Sequence, residues 1–258
     1  MTRSMPLLDQ AKSRQLMLAV FALVMVALAG CASGPRSDPR DPWEPLNRKV
    51  WDFNEAVDDA ILKPVASTYK EVVPTLVRKG VNNFFANLGD AWSFVNNVLQ
   101  LKPLGAVESL TRFNVNTILG VGGLFDVASE MNIDRHKEDF GQTLGRWGVR
   151  SGPYMVLPIL GPSTLRDTAA WTLNSVGDPV VHLRDVPLRN SMYVTRVIDT
   201  RARLLGATSV LEGAALDRYS FTRDVYLQIR RRDVEGENGA DNAPNDPVDD
   251  PSRDAPAK

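Results

Sequence analysis

Apolar residues recur at steps of three and four from Leu46 onward, through Val50, Phe53, Val57, Ile61 and Val65. That spacing lies along one face of a helix and predicts an amphipathic one. Asp41-Pro42-Trp43-Glu44-Pro45 supplies the start signal, since proline is tolerated in a first turn whose amides lack helical partners, and Pro64 is expected to interrupt the pattern. A second run follows Pro74, with Val77, Val81, Phe84, Leu88, Trp92, Val95 and Leu99 on one face and Arg78, Asn82, Asn96 and Gln100 turned elsewhere; it ends at Lys102-Pro103. A third stretch, Ala106 to Leu119, mixes Val107, Leu110, Phe113 and Ile118 with Asn114 and Thr117 along a single stripe. It runs into Gly120-Val121-Gly122-Gly123, after which Leu124 to Ala128 resumes an apolar pattern. Thr117 to Met131 therefore reads as two short apolar arms around a glycine bend, too short to span a bilayer and long enough to dip into one leaflet.

Between Phe140 and Asp167 the character changes: Gly141, Gly145, Gly148, Gly152 and Gly161 alternate with Trp147, Pro153, Tyr154, Pro158 and Pro162, so no regular helix is expected there. Met155 to Leu160 suits a short strand that its internal proline demotes to an edge or an extended loop. Helical periodicity returns weakly over Leu165 to Leu173, more clearly through Tyr193, Val197, Arg201, Leu204 and Leu205, and in a last helix from about Ser220 to Arg231. The predicted fold class is all-α, with a glycine- and proline-rich irregular segment.

The chain opens differently. Arg3, Lys12 and Arg14 precede an apolar run from Leu16 to Ala29 that has the length of a secretory signal and not of a membrane span. The run closes on Leu28-Ala29-Gly30-Cys31, which contains the only cysteine. Small residues before a lone cysteine mark a lipoprotein processing site, so Cys31 is the predicted point of lipid attachment, and two or three acyl chains at about 0.8 kcal/mol per buried methylene make a stable anchor. The predicted organisation is a removed signal (1–30), an anchored stalk (31–40) containing Gly34-Pro35 and Asp38-Pro39, a helical domain (41–232) and a tail (233–258). A chain with one acylated cysteine has no disulfide, so its stability rests on packing or on the membrane.

Charge adds one feature. The sequence holds 30 Lys and Arg against 31 Asp and Glu, but eight of the acids lie from Asp233 onward, opposed there only by Arg253 and Lys258. That tail has no aromatic residue and too little apolar surface to offset its ordering entropy, so it reads as disordered and acidic. No enzyme is legible: there is neither a Gly-x-Ser-x-Gly elbow nor a second cysteine, and His136 and His182 have no metal-ligand spacing. Gly120-x-Gly122-Gly123 and Gly141-x-x-x-Gly145 neither follow a strand nor open a helix as a phosphate loop does. No metal, no cofactor and no nucleic-acid partner is expected. Trp43, Trp51, Trp92, Trp147 and Trp171, spread along the chain, suit a boundary that is apolar on one side and wet on the other.

Several spaced motifs occur in one order: Asp41-Pro42-Trp43-Glu44-Pro45-Leu46-Asn47-Arg48 and Asp52-Phe53-Asn54; Arg112-Phe113-Asn114-Val115-Asn116-Thr117-Ile118-Leu119-Gly120-Val121-Gly122-Gly123 with Asp126; Phe140-Gly141-Gln142-Thr143-Leu144-Gly145; then Gly148, Gly152-Pro153-Tyr154, Leu157-Pro158, Gly161 and Thr164-Leu165-Arg166-Asp167. In these the chain resembles the MlaA or VacJ lipoproteins of the outer membrane, from about Cys31 to Arg231. The resemblance implies a ring- or disc-like helical lipoprotein seated in the periplasmic leaflet, which is not an enzyme. It implies an amphiphilic channel that returns mislocalised outer-leaflet phospholipids and so maintains lipid asymmetry, association with a trimeric porin, and transfer to a soluble periplasmic lipid carrier. Ala32, which is not aspartate, agrees with outer-membrane sorting by the convention of such lipoproteins. A charged headgroup crossing hydrocarbon is costly unless paired. Arg112, Asn114, Asn116, Thr117 and Arg146 are therefore the candidate channel or lipid contacts, and Gly120, Gly122 and Gly123 a candidate hinge or gate, because glycine permits backbone conformations closed to other residues. The alternative is a porin-binding envelope scaffold that moves no lipid.

Overall fold

The computed structural model describes residues 38–214 and 216–236. Cys31, the segment 1–30, most of the stalk and the acidic stretch from residue 237 lie outside the described residues. Helix α1 (Glu44–Val57) does not stop before Pro64 but passes through a π-helical stretch (Asp58–Leu62) into α2 (Lys63–Val72). The reason is local. The Lys63 amide reaches back five residues to the Asp58 carbonyl, and this wider turn shifts the hydrogen-bond ladder so that Pro64 falls in the first turn of α2, where its missing donor costs nothing.

Helices α3 (Thr75–Leu99) and α4 (Pro103–Ile118) form an antiparallel hairpin across a three-residue turn. Their polarity is inverted. The α3 face that is buried carries Asn87, Asp90, Ser93, Asn96 and Asn97, and Leu76, Val77, Val95, Val98 and Leu99 are exposed. Asn96 and Gln100 thus turn into the interior, and of the apolar stripe read from the sequence Val77, Val95 and Leu99 are exposed while Val81, Phe84, Leu88 and Trp92 are half-buried. On α4 the buried positions are Gly105, Ala106, Ser109, Arg112 and Asn116.

A short α5 (Val127–Glu130) and an extended stretch lead to α6 (Phe140–Arg146), a helix where none was expected. Asp139 and Gln142 nucleate it by a reciprocal capping box: the Asp139 carboxylate accepts from the Gln142 amide at 2.9 Å and the Gln142 side chain accepts from the Asp139 amide at 2.6 Å. Strands β1 (Tyr154–Leu157) and β2 (Gly161–Thr164) pair antiparallel, with Tyr154 opposite Thr164 and Leu157 opposite Gly161. Pro158 lies in their connection and breaks no ladder bond. Helix α7 (Leu165–Gly177), a 3₁₀ turn (Pro179–His182), α8 (Val186–Ala214) and α9 (Arg218–Glu235) complete the chain; α9 runs three residues into the segment read as tail.

The apolar core is small. Tyr154, Val156 and Tyr219 are buried under Val50, Trp51, Tyr226 and Leu227, where the β1–β2 pair meets α1 and α9. Two asparagines two helical turns apart on α1 serve as a third strand for β1. Asn47 donates to the Tyr154 carbonyl (3.2 Å) and accepts from the Val156 amide (3.0 Å); Asn54 donates to the Leu157 carbonyl (3.0 Å) and accepts from the Ile159 amide (2.7 Å). Asp41, fully buried, joins the same corner through the Tyr219 hydroxyl at 2.5 Å and Asn47 at 2.7 Å.

Candidate functional site

The interior of the α3–α4 hairpin is a buried polar network. Arg112, 1 % exposed, pairs with Asp126 at 2.6 Å and Asp90 at 3.6 Å, and Arg135 reaches Asp90 at 3.1 Å. Arg112 also donates to the Ile133 carbonyl and, at 3.1 Å, to the Ser129 hydroxyl. Asn116 donates to Asp126 at 3.0 Å and accepts from the Ala128 amide at 2.9 Å. Burial pushes the Asp90 carboxyl above its ordinary value against the pull of Arg135 and Arg112. At Asp126 burial acts the same way, but donation from Ser129 and Asn116 and the charges of Arg112 and Arg135 outweigh it and hold the carboxyl low. The segment before α6 and α6 itself extend the network: the Glu138 carboxylate accepts from Gln100 (2.9 Å) and Lys102 (2.6 Å), and Thr143 of α6 donates to Asn96 (2.8 Å).

The glycine bend sits at the far end of this hairpin. A side chain on Gly120 would run into the Phe125 and Asn116 carbonyl oxygens, and one on Gly123 (φ +90°) would approach the Asn87 amide nitrogen to 2.7 Å. Gly122 (φ +69°) faces open space, so only its backbone conformation calls for glycine. The bend is tied down by the Gly122 amide on the Thr117 carbonyl (2.9 Å), Gly123 on Asn116 (2.8 Å) and Phe125 on Gly120 (2.9 Å).

Beside the bend, α3 and α8 part to leave an open cleft of about 240 Å³, lined by Val81, Phe84, Phe85, Leu124, Ser191, Met192 and Thr195. Leu124, directly after the glycine bend, forms part of one cleft wall. The opposite wall is braced: the Arg196 guanidinium lies 4.7 Å over the Phe85 ring and binds Asp178 through both nitrogens at 2.5 and 3.2 Å. The cleft is therefore an apolar slot with two hydroxyls, suited to hydrocarbon and able to exchange little with charge.

None of the five side chains singled out in the sequence lines this cleft. Arg112 and Asn116 spend their hydrogen bonds inside the hairpin. Thr117 accepts from Asn87 at 2.9 Å and Asn114 donates to its own helix at Leu110 O, both at exposed positions of α4. Arg146 is also exposed and donates to the Val234 carbonyl at 3.3 Å, far along the chain from the bend. Ser191, Met192 and Thr195 were missed because they lie off the stripe of Tyr193, Val197, Arg201, Leu204 and Leu205 by which the sequence marks this helix. His136 pairs with Glu108 at 2.5 Å and His182 bonds the Val176 carbonyl at 2.8 Å.

A family model described as MlaA lipoprotein matches residues 39–233. The chain belongs to the MlaA lipoprotein family. It is 36 % identical over 220 residues to the intermembrane phospholipid transport system lipoprotein MlaA of Escherichia coli (strain K12), covering 83 % of this chain and 87 % of that protein. It is 34 % identical over 215 residues to the protein of the same name in Haemophilus influenzae, covering 80 % and 85 %. A solved structure described under "Structural basis for maintenance of bacterial outer membrane lipid asymmetry" superposes with a TM-score of 0.67 at 35 % identity, covering 77 % of this chain and all of that one. The helical MlaA fold places the polar α3–α4 interior, the glycine bend and the cleft within one body.

Proposed function

We propose that this protein is an outer-membrane lipoprotein, anchored through Cys31 and facing the periplasm. It withdraws mislocalised phospholipids from the outer leaflet through an amphiphilic passage and hands them to a soluble periplasmic carrier, maintaining lipid asymmetry. The carrying observation is the polarity of α3, which buries three amides, a hydroxyl and the Asp90 carboxylate while Leu76, Val77, Val95, Val98 and Leu99 are exposed; hydrocarbon and not water is the solvent that favours this arrangement. No described helix is long and apolar enough to cross a membrane, which agrees with a body seated in one leaflet. The E. coli and H. influenzae relatives bear the name of an intermembrane phospholipid transport system. The passage works without enzymatic turnover. An acyl chain enters the cleft at Phe84, Phe85 and Met192 while the exposed Asn114 and Thr117 offer polar partners to a headgroup. Arg112 and Asn116 act one step behind, holding the bend whose Gly120, Gly122 and Gly123 form the hinge. A trimeric porin carries the lipoprotein in the membrane.

Outer-leaflet phospholipid is measured in cells lacking the protein and in cells restored with the wild type, with Cys31→Ala and with the cleft-filling Met192→Trp. The expected result is a rise on deletion that the wild type reverses and the two variants do not. An unchanged outer leaflet with a fragile envelope would replace this reading by a porin-binding scaffold.

A further inference from the structure

Among the described residues, four other than glycine adopt a left-handed backbone: Leu101 (φ 58°), Val121 (53°), Asn132 (54°) and Ile159 (66°). Glycine and asparagine take this conformation readily, whereas a branched apolar side chain collides with its own backbone there. Asn132 is an ordinary occupant. The other three each sit at the tip of a turn: Leu101 between α3 and α4, Val121 in the glycine bend, and Ile159 between β1 and β2. They are 87 %, 63 % and 69 % exposed, so no packing inside the protein repays the strain.

Several backbone amides around these tips are satisfied from within. The Leu101 amide donates to the Val98 carbonyl (3.0 Å), Lys102 to Asn97 (2.9 Å), Gly122 to Thr117 (2.9 Å) and Leu160 to Pro158 (2.7 Å). The Ile159 amide donates to the Asn54 side chain at 2.7 Å. Water would serve these donors at an exposed turn, and hydrocarbon would not. The neighbours agree: Leu104, Leu119, Phe125, Leu160 and Phe53, the residue before Asn54, are exposed as well. Trp147 donates its indole N–H to the Leu99 carbonyl at 3.0 Å beside the first tip.

We propose that Leu101, Val121 and Ile159 are three insertion points that dip into the acyl-chain region of a phospholipid leaflet, and that Asn132 marks a turn left in water. The strain at each tip is retained because a side chain of this size in hydrocarbon gains more than glycine or asparagine would. This rests on the reading of the body as seated in a leaflet and assigns which residues seat it.

The test uses residues 31–258 carrying Cys31→Ser, so that no acyl chain holds the protein on a membrane, with phosphatidylethanolamine–phosphatidylglycerol vesicles. A single cysteine placed at 101, 121, 159 or 132 carries an environment-sensitive fluorophore. The first three are expected to shift to the blue with vesicles and to be quenched by spin labels on the acyl chains, and the fourth to stay as in buffer. Leu101→Asn, Val121→Asn and Ile159→Asn suit the left-handed backbone, so each is expected to keep the thermal midpoint or raise it and to lower vesicle partitioning by roughly an order of magnitude. If the protein floats with vesicles and the three probes stay as in buffer, the tips do not insert and the proposal is overturned, with the leaflet-seated body intact. If it does not float at all, both fail together.

Discussion

Arg112 heads the fully buried side chains of this protein, and its charge is tolerable only because Asp126, Asp90, Ser129 and the Ile133 carbonyl surround it. Truncating one member of such a group strands the others without water. Arg112→Ala is therefore expected to destabilise the fold by about 3–5 kcal/mol, read as a lower denaturant midpoint in detergent. Asn47→Ala leaves the buried Val156 amide and one carboxylate oxygen of Asp41 short of a partner, and about 1–3 kcal/mol should be lost. Asp167, like Asp126, Asp38 and Asp217, contributes to the pH dependence. Burial pushes its carboxyl up, but donation from Arg230 and the charges of Arg230 and Arg166 outweigh that and hold it below its ordinary value. A group lowered in the folded state contributes stability in full above its unfolded value, about 3.9, and loses it as the pH falls through the folded one. Asp90, raised by burial, has the opposite sign and recovers stability in acid, softening the fall. The unfolding midpoint should stay level from about pH 7 to 5 and drop below about pH 4, and Asp167→Asn should flatten that drop.

At the scale of the element, the glycine bend ranks its own substitutions. Gly122→Ala meets open space and only a backbone penalty, about 1 kcal/mol, whereas Gly123→Ala adds a collision with Asn87 and Gly120→Ala one with two carbonyl oxygens. Thermal midpoints should fall least for Gly122→Ala, and outer-leaflet phospholipid should rise in the order of the collisions if the bend moves during transport. Replacing Gly122 and Gly123 together by proline is expected to abolish transport; wild-type transport by a properly inserted double variant would sink the hinge. The π-helical turn and the capping box of α6 show what periodicity misses. Pro64 looked like a stop because a regular helix has no place for it, and α6 looked irregular because Gly141 and Gly145 are poor helix formers. Both glycines are there because Asp167, Arg166 and Val234 press against the helix, a demand that arises between elements.

For the whole molecule, the distribution of polarity matters more than any one contact. Among the described residues its clustered apolar core lies at the corner where the hairpin β1–β2 meets α1 and α9, with small residues such as Ala66, Val180 and Ala202 buried elsewhere, and amides, hydroxyls and ion pairs fill the α3–α4 interior. Exposed large apolar residues such as Leu76, Leu101, Leu104 and Ile118 favour association in water. Without lipid or detergent the unanchored chain is expected to self-associate, and to become monodisperse when phospholipid micelles are added, as followed by light scattering.

The amphipathic runs, the start of α1, the end of α3 and the family motifs were all legible in the sequence, because each depends on the order of neighbouring residues. Asn47, Asn54, Arg112, Asn116 and Gly123 could be picked out as motif positions, but their work could not, since most of their partners lie ten or more residues away. The decisive ambiguity was direction. Periodicity gives a helix one apolar and one polar face without saying which is inside, and for α3 only the tertiary structure decided that the polar face is. The cleft is the same kind of fact: Phe84 and Phe85 meet Ser191, Met192 and Thr195 across more than a hundred residues, brought together by packing that no local pattern encodes.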